Sequence, residues 1–356
     1  MADAPVTLYD LGRDELADLL DGEPRYRVDQ VWDGLYGQLK DPADLSNVPK
    51  KLRAAIDELL PPALVLVRES VSDGGDTVKF LWQLHDGHLI ETVLMHYTDR
   101  TTVCISSQAG CAMGCGFCAT GQAGFDRHLR VGEIVEQVIR AAQYSATQRS
   151  APRRVANVVF MGMGEPLANV PAVVGALDRL HDDVGIGARH LTVSTVGVIP
   201  GIREFTALGG QYGLAVSLHA ANDTKRDKLV PINQRYPLAD LARACHDHIR
   251  ATGRRISFEW AMIDGVNDTD DDVAELAAYA NGLRAHVNLI PLNPTPGYPT
   301  TGSSPARVQE FRDALEQRGV NATIRRNRGT DIDAACGQLR AGHEAAQSVA
   351  PPRRRR

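Results

Sequence analysis

The first 62 residues carry apolar side chains at helical spacing. In RVDQVWDGLYGQL the apolar positions fall on one helical face, and KKLRAAIDELL repeats this pattern before Pro61 and Pro62 interrupt it. Apolar residues spaced in this way form the buried stripe of an amphipathic helix. The pattern therefore predicts a helical region over 1–62.

A strand pattern replaces the helical one after residue 63. Two apolar runs, VKFLWQLH and HLIETVLMHY, flank Asp86-Gly87, and Asp99-Arg100 ends the second run. An Asp-Gly pair between two such runs is a strong signal for a hairpin turn. We expect a β-meander over 63–100.

From residue 101 onward, short β-rich runs alternate with helical stretches. The β-rich runs cover 101–107, 155–161, 190–195, 213–218, 255–263 and 286–290. The clearest helical stretches are VGEIVEQVIRAAQYS, LADLARACHDHIRATG and DDVAELAAYANGL. Strands that alternate with helices form right-handed βαβ units around a parallel sheet. The expected fold is α/β, a partial (βα)6 barrel over 101–330, with functional side chains at the C-terminal strand ends.

The composition is that of a globular protein. Of the 356 residues, 43% are hydrophobic and 23% are charged, which excludes a fibrous or wholly disordered chain. No apolar run approaches the roughly 18 residues of a membrane span, and the acidic N-terminus is unlike a secretory signal. We therefore expect a cytoplasmic protein.

The net charge of −5 is unevenly distributed. Residues 1–92 contain 9 Lys and Arg against 18 Asp and Glu, whereas the remainder contains 30 against 26. A basic surface would lie in the second part, although arginine pairs are usually only solvated surface. The candidates are Arg153-Arg154, Arg254-Arg255 and the IRRNR run at Arg325, Arg326 and Arg328. The terminal Arg353–Arg356 follow two prolines and predict a disordered tail over 343–356.

Three of the six cysteines lie within eight residues, directly after the first predicted barrel strand. Cys111, Cys115 and Cys118 have CxxxCxxC spacing in a glycine-rich loop. Three thiolates on a four-iron cluster leave one iron open for a substrate. A structural zinc usually needs a second pair of ligands, and a disulfide is not expected in the cytosol. The motif therefore favours an iron–sulfur cluster over zinc.

The surrounding motifs resemble those of the radical S-adenosylmethionine enzymes, and within them the RlmN family of adenosine C2 methyltransferases. The motifs are VCISSQAGCAMGCGFCATGQAGFDRHL, FMGMGEPLAN, STVG, SLHA, IPLNP and AACGQL, in the family's order, from about Gly75 to about Leu339. The helical N-terminal region is only weakly similar. The resemblance implies a [4Fe–4S] cluster on the three loop cysteines and S-adenosylmethionine as a second cofactor.

Residues at successive strand ends are assigned to S-adenosylmethionine by the same resemblance. The Gly-Met-Gly-Glu-Pro motif with Gly164 and Glu165 would hold its amino group, because a carboxylate suits an ammonium and glycine permits close backbone approach. The further implied contacts are Ser194, Ser217, Leu218, His219 and Asn293. Each alone would be an ordinary turn residue, but together they indicate a cofactor site.

Three more residues gain catalytic roles from the resemblance. It implies that Cys336 carries the methyl group, that Cys104 attacks Cys336 to form a disulfide and release methylated RNA, and that Glu91 accepts the C2 proton. Strand alternation by itself would point Glu91 toward solvent. Cys104 by itself would be a buried strand residue. Cys245 lies on an apolar helix face and is expected in the core.

The implied substrates are an adenosine in the peptidyl-transferase region of 23S rRNA and the adenosine 3′ of the anticodon in tRNA. Two S-adenosylmethionine molecules would be used per turnover, with electrons from a flavodoxin- or ferredoxin-like donor. A related antibiotic-resistance methyltransferase that modifies C8 has nearly the same motifs. A non-catalytic RNA-binding module with zinc or a cluster is the alternative from another class. We expect a monomer without membrane contact.

The patterns divide the chain into five parts. They are a helical accessory domain at 1–62, a β-meander at 63–100, the barrel at 101–330, a segment with the methyl-carrying cysteine at 331–342 and the tail at 343–356. Phosphate contacts by Lys and Arg supply most of the affinity for RNA. The acidic first domain is therefore expected to orient structured RNA, through YRVDQVWDGLYGQL with Lys50, Lys51 and Arg53.

Overall fold

The computed structural model describes residues 5–148, 154–295 and 297–339. Arg153, the last three residues of the predicted 331–342 segment and the predicted tail lie outside these ranges. Among the helices that are described, none is both long and apolar enough to cross a membrane.

The N-terminal region is helical, as its sequence predicts. It contains α1 (Arg13–Leu19), α2 (Arg25–Trp32), a π-helical turn (Asp33–Gly37), a 3-10 turn (Pro42–Asp44) and α3 (Lys50–Leu59). The rings of Tyr9, Trp32 and Tyr36 pack together in its core. The indole Nε1 of Trp32 donates to Asp183 at 2.9 Å. This region is therefore attached to the helical layer of the following barrel.

An antiparallel β-meander follows, also as predicted. Its strands are β1 (Val65–Ser72), β2 (Thr77–Gln83) and β3 (Leu89–His96). Asp86-Gly87 lies in the turn between β2 and β3. The register places Lys79 of β2 opposite Val93 of β3. Val93 in turn lies opposite Cys104 of the next strand, so the meander continues directly into the barrel sheet.

The first barrel strand is shorter than the predicted run 101–107. Strand β4 spans Thr101–Cys104, and a separate ribbon of β5 (Gln108–Gly110) and β6 (Phe125–His128) follows it. The strand ends early because the backbone N–H of Ser107 turns to the carbonyl of Met163 at 2.8 Å. The ribbon encloses the loop with the three clustered cysteines and the short helix α4 (Ala119–Ala123).

The remaining strands are parallel and complete an open barrel. They are β7 (Val155–Phe160), β8 (Leu191–Thr195), β9 (Gly213–Ser217), β10 (Ser257–Met262), β11 (His286–Pro291) and β12 (Ala322–Ile324). In the described chain the sheet order is β1-β2-β3-β4-β7-β8-β9-β10-β11-β12. All six β-rich runs of the sequence contain strands. Strand β12 is not predicted, because only 3 residues form it and two of them are exposed.

Helices follow the parallel strands. They are α5 (Val131–Thr147), α6 (Val170–Asp178), α7 (Ile199–Ala207), α8 (Asp223–Leu229), α9 (Leu238–Thr252), α10 (Asp270–Leu283) and α11 (Pro305–Gln317). The three helical stretches read from the sequence are α5, α9 and α10. Cys245 on α9 is fully buried, which confirms the prediction. Helix α5 also covers one face of the meander, where Tyr144 packs on Phe80.

Residues 329–339, which we name the Cys336 segment, cross from the meander to the cysteine loop. At its start, the Gly329 N–H donates to the Asp73 carboxylate at 3.1 Å, and Lys79 Nζ donates to the Asp333 carbonyl at 3.1 Å. At its end, the Ala119 N–H donates to the Gly337 carbonyl at 2.8 Å. Cys336 is therefore held between two fixed points.

Candidate active site

The main cavity lies at the C-terminal ends of the parallel strands and has a volume of about 1030 Å³. Its wall is formed by the cysteine loop, by the ends of the barrel strands and by the Cys336 segment. The predicted site residues that line it are Cys111, Cys115, Cys118, Gly164, Glu165, Ser194, Ser217, His219 and Cys336. Residues that are far apart in the sequence thus share one cavity.

The cysteine loop folds tightly against the β5–β6 ribbon. Gly110 has a φ of +72°, and a Cβ there would lie 2.1 Å from the carbonyl oxygen of Gly124, so only glycine fits. The Cys111 N–H donates to that same carbonyl at 2.6 Å. Burial raises the pKa of Cys111 to about 12 and also raises the pKa of Cys115. A bound metal centre would reverse this effect, because it deprotonates the thiols that coordinate it.

Glu165 is a buried carboxylate at the end of β7. Its Oε1 accepts from the Leu167 N–H at 3.0 Å, and its Oε2 accepts from the Val196 N–H at 2.9 Å. Burial raises its pKa to about 7 although these hydrogen bonds favour the carboxylate. Gly164 has a φ of +101°, and a Cβ there would lie 2.5 Å from the side chain of Gln108. An ammonium group in the cavity would restore the ionised form of Glu165.

Neutral polar groups line another part of the cavity. His219 Nδ1 accepts from the Ala261 N–H at 3.0 Å, so the proton of the neutral ring lies on Nε2. Burial, with a smaller effect from Arg226, lowers the pKa of His219 to about 3. The Oγ atoms of Ser194 and Ser217 lie 3.4 Å apart. This wall offers uncharged donors and acceptors to a polar ligand.

Two of the predicted cofactor residues lie outside the main cavity. The Leu218 side chain is fully buried, and its N–H donates to the Glu259 carbonyl at 3.0 Å. Asn293 Nδ2 donates to the Cys336 carbonyl at 3.2 Å, and its Oδ1 accepts from Asn327 at 2.7 Å. Asn293 therefore positions the backbone of Cys336.

A side cavity of about 430 Å³ adjoins the main cavity. Its wall includes Val93, Met95, Cys104, Arg325 and Cys336. Cys336 lines both cavities, and its exposed surface faces them. Cys104 lines only the side cavity. The structure thus places the two predicted redox partners at one cavity.

The surroundings of both thiols favour the protonated form. Burial raises the pKa of Cys104 to about 12 and raises the pKa of Cys336, while the Arg325 guanidinium opposes both shifts. Arg325 directly follows β12, and its Nη1 lies 3.8 Å from the Met161 sulfur. Because arginine stays charged, it favours the thiolate form of either cysteine.

Glu91 lies on the meander face that the Cys336 segment covers. It is buried, so the solvent-facing orientation expected from alternation is wrong. Lys79 Nζ lies 3.0 Å from Glu91 Oε1. Residues two apart on a strand share a face, so Glu91 lies next to Val93 and Met95, which line the side cavity. Glu91 itself is absent from both cavity walls.

The chain is similar to proteins of one family. Residues 105–279 match the radical SAM superfamily. A Parafrankia sp. (strain EAN1pec) protein described as a probable dual-specificity RNA methyltransferase RlmN is 49% identical over 355 residues, covering 95% of this chain and 92% of that protein. A Desulforamulus reducens protein with the same description is 44% identical, covering 96% and 97%. The chain belongs to the RlmN family.

A solved structure supports the fold of this RlmN-family chain. The crystal structure of a radical SAM methyltransferase from Sphaerobacter thermophilus has a TM-score of 0.90 and 48% sequence identity. The alignment covers 95% of this chain and 100% of the Sphaerobacter thermophilus chain. The α/β radical SAM fold that the sequence motifs imply is therefore confirmed.

Membership of the RlmN family and the radical SAM superfamily implies a [4Fe–4S] cluster and S-adenosylmethionine, and the residues fit both. In the described ranges, no three His, Cys, Asp or Glu side chains converge on one metal-ion position. Thiolates that hold a cluster bind different irons, so they need no such convergence. Glu165 suits the ammonium of S-adenosylmethionine, and the neutral wall around His219 suits its nucleoside.

Several polar residues that the sequence analysis did not single out support this RlmN-family site. Gln108 Oε1 accepts from the Glu165 N–H at 2.8 Å. Arg226 is fully buried, and its Nη2 donates to the Val196 carbonyl at 2.6 Å. Glu259 lines the main cavity from β10. Position at a strand end could have identified Gln108, whereas Arg226 lies in a charged helical stretch that reads as solvated surface.

Proposed function

We propose that this protein methylates C2 of an adenosine in the peptidyl-transferase region of 23S rRNA and of the adenosine 3′ of the anticodon in tRNA. The position of Cys336 carries this proposal, because it borders both the cofactor residues and Cys104. A methyl carrier needs access to a methyl donor on one side and to a partner thiol on the other. The description of the relatives as dual-specificity RNA methyltransferases supports RNA as the substrate.

The main cavity would hold the cofactors. The loop cysteines Cys111, Cys115 and Cys118 would bind the cluster as thiolates, and Gly164 with Glu165 would bind the amino group of S-adenosylmethionine. When bound, the two cofactors supply a methyl group and a one-electron route to cleavage of a C–H bond. Ser194, Ser217 and His219 would contact the uncharged parts of S-adenosylmethionine.

Leu218 and Asn293 would contact S-adenosylmethionine, as the family resemblance implies, and would also hold their neighbours in place. Leu218 precedes His219 and fixes its backbone by donating to Glu259. Asn293 fixes the Cys336 carbonyl. Both would therefore position residues that contact the cofactor.

Cys336 would deliver the new carbon to the base. Adenine C2 is electrophilic and has no acidic proton, so a simple transfer of a methyl cation cannot act there. Cys336 would carry the carbon as a thioether and become joined to C2 through it. Glu91 would then accept the proton that leaves C2, because its buried carboxylate lies on the strand face that borders the side cavity.

Cys104 would release the product. Its thiolate attacks the Cys336 sulfur, an S–S bond forms as the S–C bond breaks, and the released carbon takes up a proton to become the methyl group. Attack requires the thiolate and Cα atoms within about 7 Å of each other. Arg325 favours that thiolate from the wall of the same cavity. A two-electron thiol reductant would regenerate both cysteines.

The remaining features of the proposal concern the whole chain. We place the protein in the cytoplasm as a monomer, with reducing electrons from a flavodoxin- or ferredoxin-like donor. The helical domain at 1–62 would orient the RNA over the barrel at 101–330. The meander at 63–100 would anchor the segment that carries Cys336, through Asp73 and Lys79.

Anaerobic assay of the reconstituted protein tests this function. The protein is incubated with S-adenosylmethionine, a chemical reductant and either a 23S rRNA fragment or tRNA, and the digested RNA is analysed by mass spectrometry. We expect 2-methyladenosine in both RNAs and 5′-deoxyadenosine in solution. The isomer 8-methyladenosine would instead establish a C8 enzyme. A colourless protein without 5′-deoxyadenosine would refute catalysis.

A further inference from the structure

Lys79 is a buried cation with two partners at the active site. Its Nζ lies 3.0 Å from Glu91 Oε1 and donates to the Asp333 carbonyl at 3.1 Å. The side chain is only 7% exposed. Burial of an ammonium is costly even when it is paired, and an apolar side chain would pack as well there. A charge kept at this position therefore suggests a role in the reaction.

The strand register connects Lys79 with the reacting groups. Lys79 lies opposite Val93, and Val93 lies opposite Cys104, so the three residues form a row across β2, β3 and β4. Directly opposite residues point to the same face of a sheet. Glu91 lies two residues from Val93 along β3 and shares this face. Lys79 and the release thiol Cys104 thus lie at the two ends of one row, and the proposed base Glu91 lies beside the middle of that row.

The Cys336 segment covers this same face. Asp333, whose carbonyl accepts from Lys79, precedes Cys336 by three residues. The segment is also held at Gly329, which donates to Asp73. Lys79 therefore contacts both the proposed base and the chain that carries the proposed methyl group.

We propose that Lys79 is a positioning residue that keeps the Glu91 carboxylate ionised and oriented toward the side cavity when the Cys336 segment is docked. The inference rests on the proposed function and adds a second residue to the proton transfer. Lys79 itself does not exchange the proton. It acts through Glu91. Its hydrogen bond to the Asp333 carbonyl makes the ionisation of Glu91 depend on whether the Cys336 segment is docked on this face.

The charge at Lys79 predicts a definite pH effect. An opposite charge within about 4 Å lowers the pKa of a carboxyl group by roughly 1–3 units, so loss of the ammonium raises the pKa of Glu91. The base is then protonated at a higher pH, and the acidic limb of the rate profile moves upward. Among the residues that the structure describes, other charged or titratable groups on the elements packed against this face include Arg68, Asp73, Tyr97, Cys104, Arg325, Arg328, Asp331, Asp333 and Cys336. Lys79→Met leaves all of them in place.

The experiment compares Lys79→Met, Lys79→Arg, Glu91→Gln and the double variant Lys79→Met/Glu91→Gln in single-turnover methylation of RNA between about pH 5 and pH 9. Lys225→Met is the matched control, because Lys225 forms an ion pair with Asp272 at 2.5 Å between α8 and α10, outside both cavities. Iron content and the methyl group on Cys336, measured by protein mass spectrometry, establish that each variant is folded and loaded. Wild-type protein in the same assay tests the proposed function separately.

We expect Lys79→Met to move the acidic limb up by at least about one pH unit, so that the rate falls by up to about tenfold at the acidic end of the range. Lys79→Arg should restore most of the rate, since it keeps the charge. In the Glu91→Gln background, Lys79→Met should have no further effect. An unchanged acidic limb, or an equal loss in both backgrounds, would overturn the role of Lys79. Absence of product with the wild-type protein would overturn the proposed function instead.

Discussion

Replacement of Cys104 by alanine is expected to trap the protein on its RNA. The change removes one sulfur atom from a side chain that is 7% exposed and leaves the pairing of β4 with β3 and β7 intact. Deletion of so small a buried group costs about 1 kcal/mol, against the 5–15 kcal/mol of a typical fold. The variant should therefore fold, bind its cofactors and carry out every step before release.

The size of the block follows from the enclosed position of the two thiols. A well-oriented group inside a protein can act with an effective concentration on the order of 10⁵ M, whereas an added thiol would be present at about 1 mM. Dithiothreitol therefore cannot replace Cys104. Because each chain has one Cys336, the trapped species should approach one RNA per protein.

The assay is the absorbance spectrum and mass of protein purified from cells. Cys104→Ala should show excess absorbance near the nucleic-acid maximum that nuclease removes, leaving a nucleotide attached to the Cys336 peptide. Cys245→Ala is the matched control, since it changes another buried cysteine, one that lines neither cavity, and it should be free of RNA. Cys336→Ala and the double variant should also be free of RNA, because no carrier exists.

One result would refute the covalent scheme. If Cys104→Ala protein is free of RNA and methylates at the rate of the wild type, Cys104 has no part in release. Cys104 and Cys336 would then be ordinary residues of a shared cavity, and the assignment of Cys336 as the carrier would lose its main support.

Three further predictions test other parts of the structure. Changing any one of the three loop cysteines to alanine should remove iron and all RNA methylation, and mass spectrometry should show no methyl group on Cys336, since both transfers use one cavity. Burial raises the pKa of Glu165 from 4.5 to about 7, so affinity for S-adenosylmethionine, whose ammonium needs the carboxylate, should fall by up to about tenfold per pH unit below 7. In calorimetric titrations Glu165→Gln should bind weakly with no such pH dependence, and a constant wild-type affinity would contradict this. Deletion of residues 1–60 from a chain that still folds should reduce rRNA methylation, and an unchanged rate would remove the RNA-orienting role of that region.

The sequence predicted the structure best where an element is determined by residues that are close together in the chain. The six β-rich runs, the Asp86-Gly87 turn and the CxxxCxxC loop all depend on neighbours within a few residues, and the structure contains each of them. The same holds for Cys245, whose place on an apolar helix face is enough to bury it.

Alternation failed for Glu91 because a remote segment covers its face of the sheet. The alternation of apolar and polar residues along β3 depends only on that strand and carries no information about residues 329–339, which lie far away in the sequence. Arg226 was missed for a related reason. Its partners are the backbone carbonyls of Val196, Ser217 and Leu218 and the side chain of Asn233, and no local sequence pattern connects these groups with Arg226. Arg325 was expected only as part of a basic surface, because its place in the cavity wall depends on β12, a strand too short to be predicted from the sequence.

The two anchors of the Cys336 segment limit how far the sulfur can travel. Cys336 lies three positions after Asp333, a reach of about 10 Å even when fully extended, and the Gly337 carbonyl is fixed on the other side. The thiol of Cys336 is therefore confined to the neighbourhood of the two cavities that it lines. The adenine must move instead, leaving its stack in the RNA and entering the protein. This extrusion costs a few kcal/mol, and it costs least where the nucleotide is already single-stranded. Because the Cys336 segment is anchored on both sides, only an adenosine that leaves its base stack easily can reach the thiol and react.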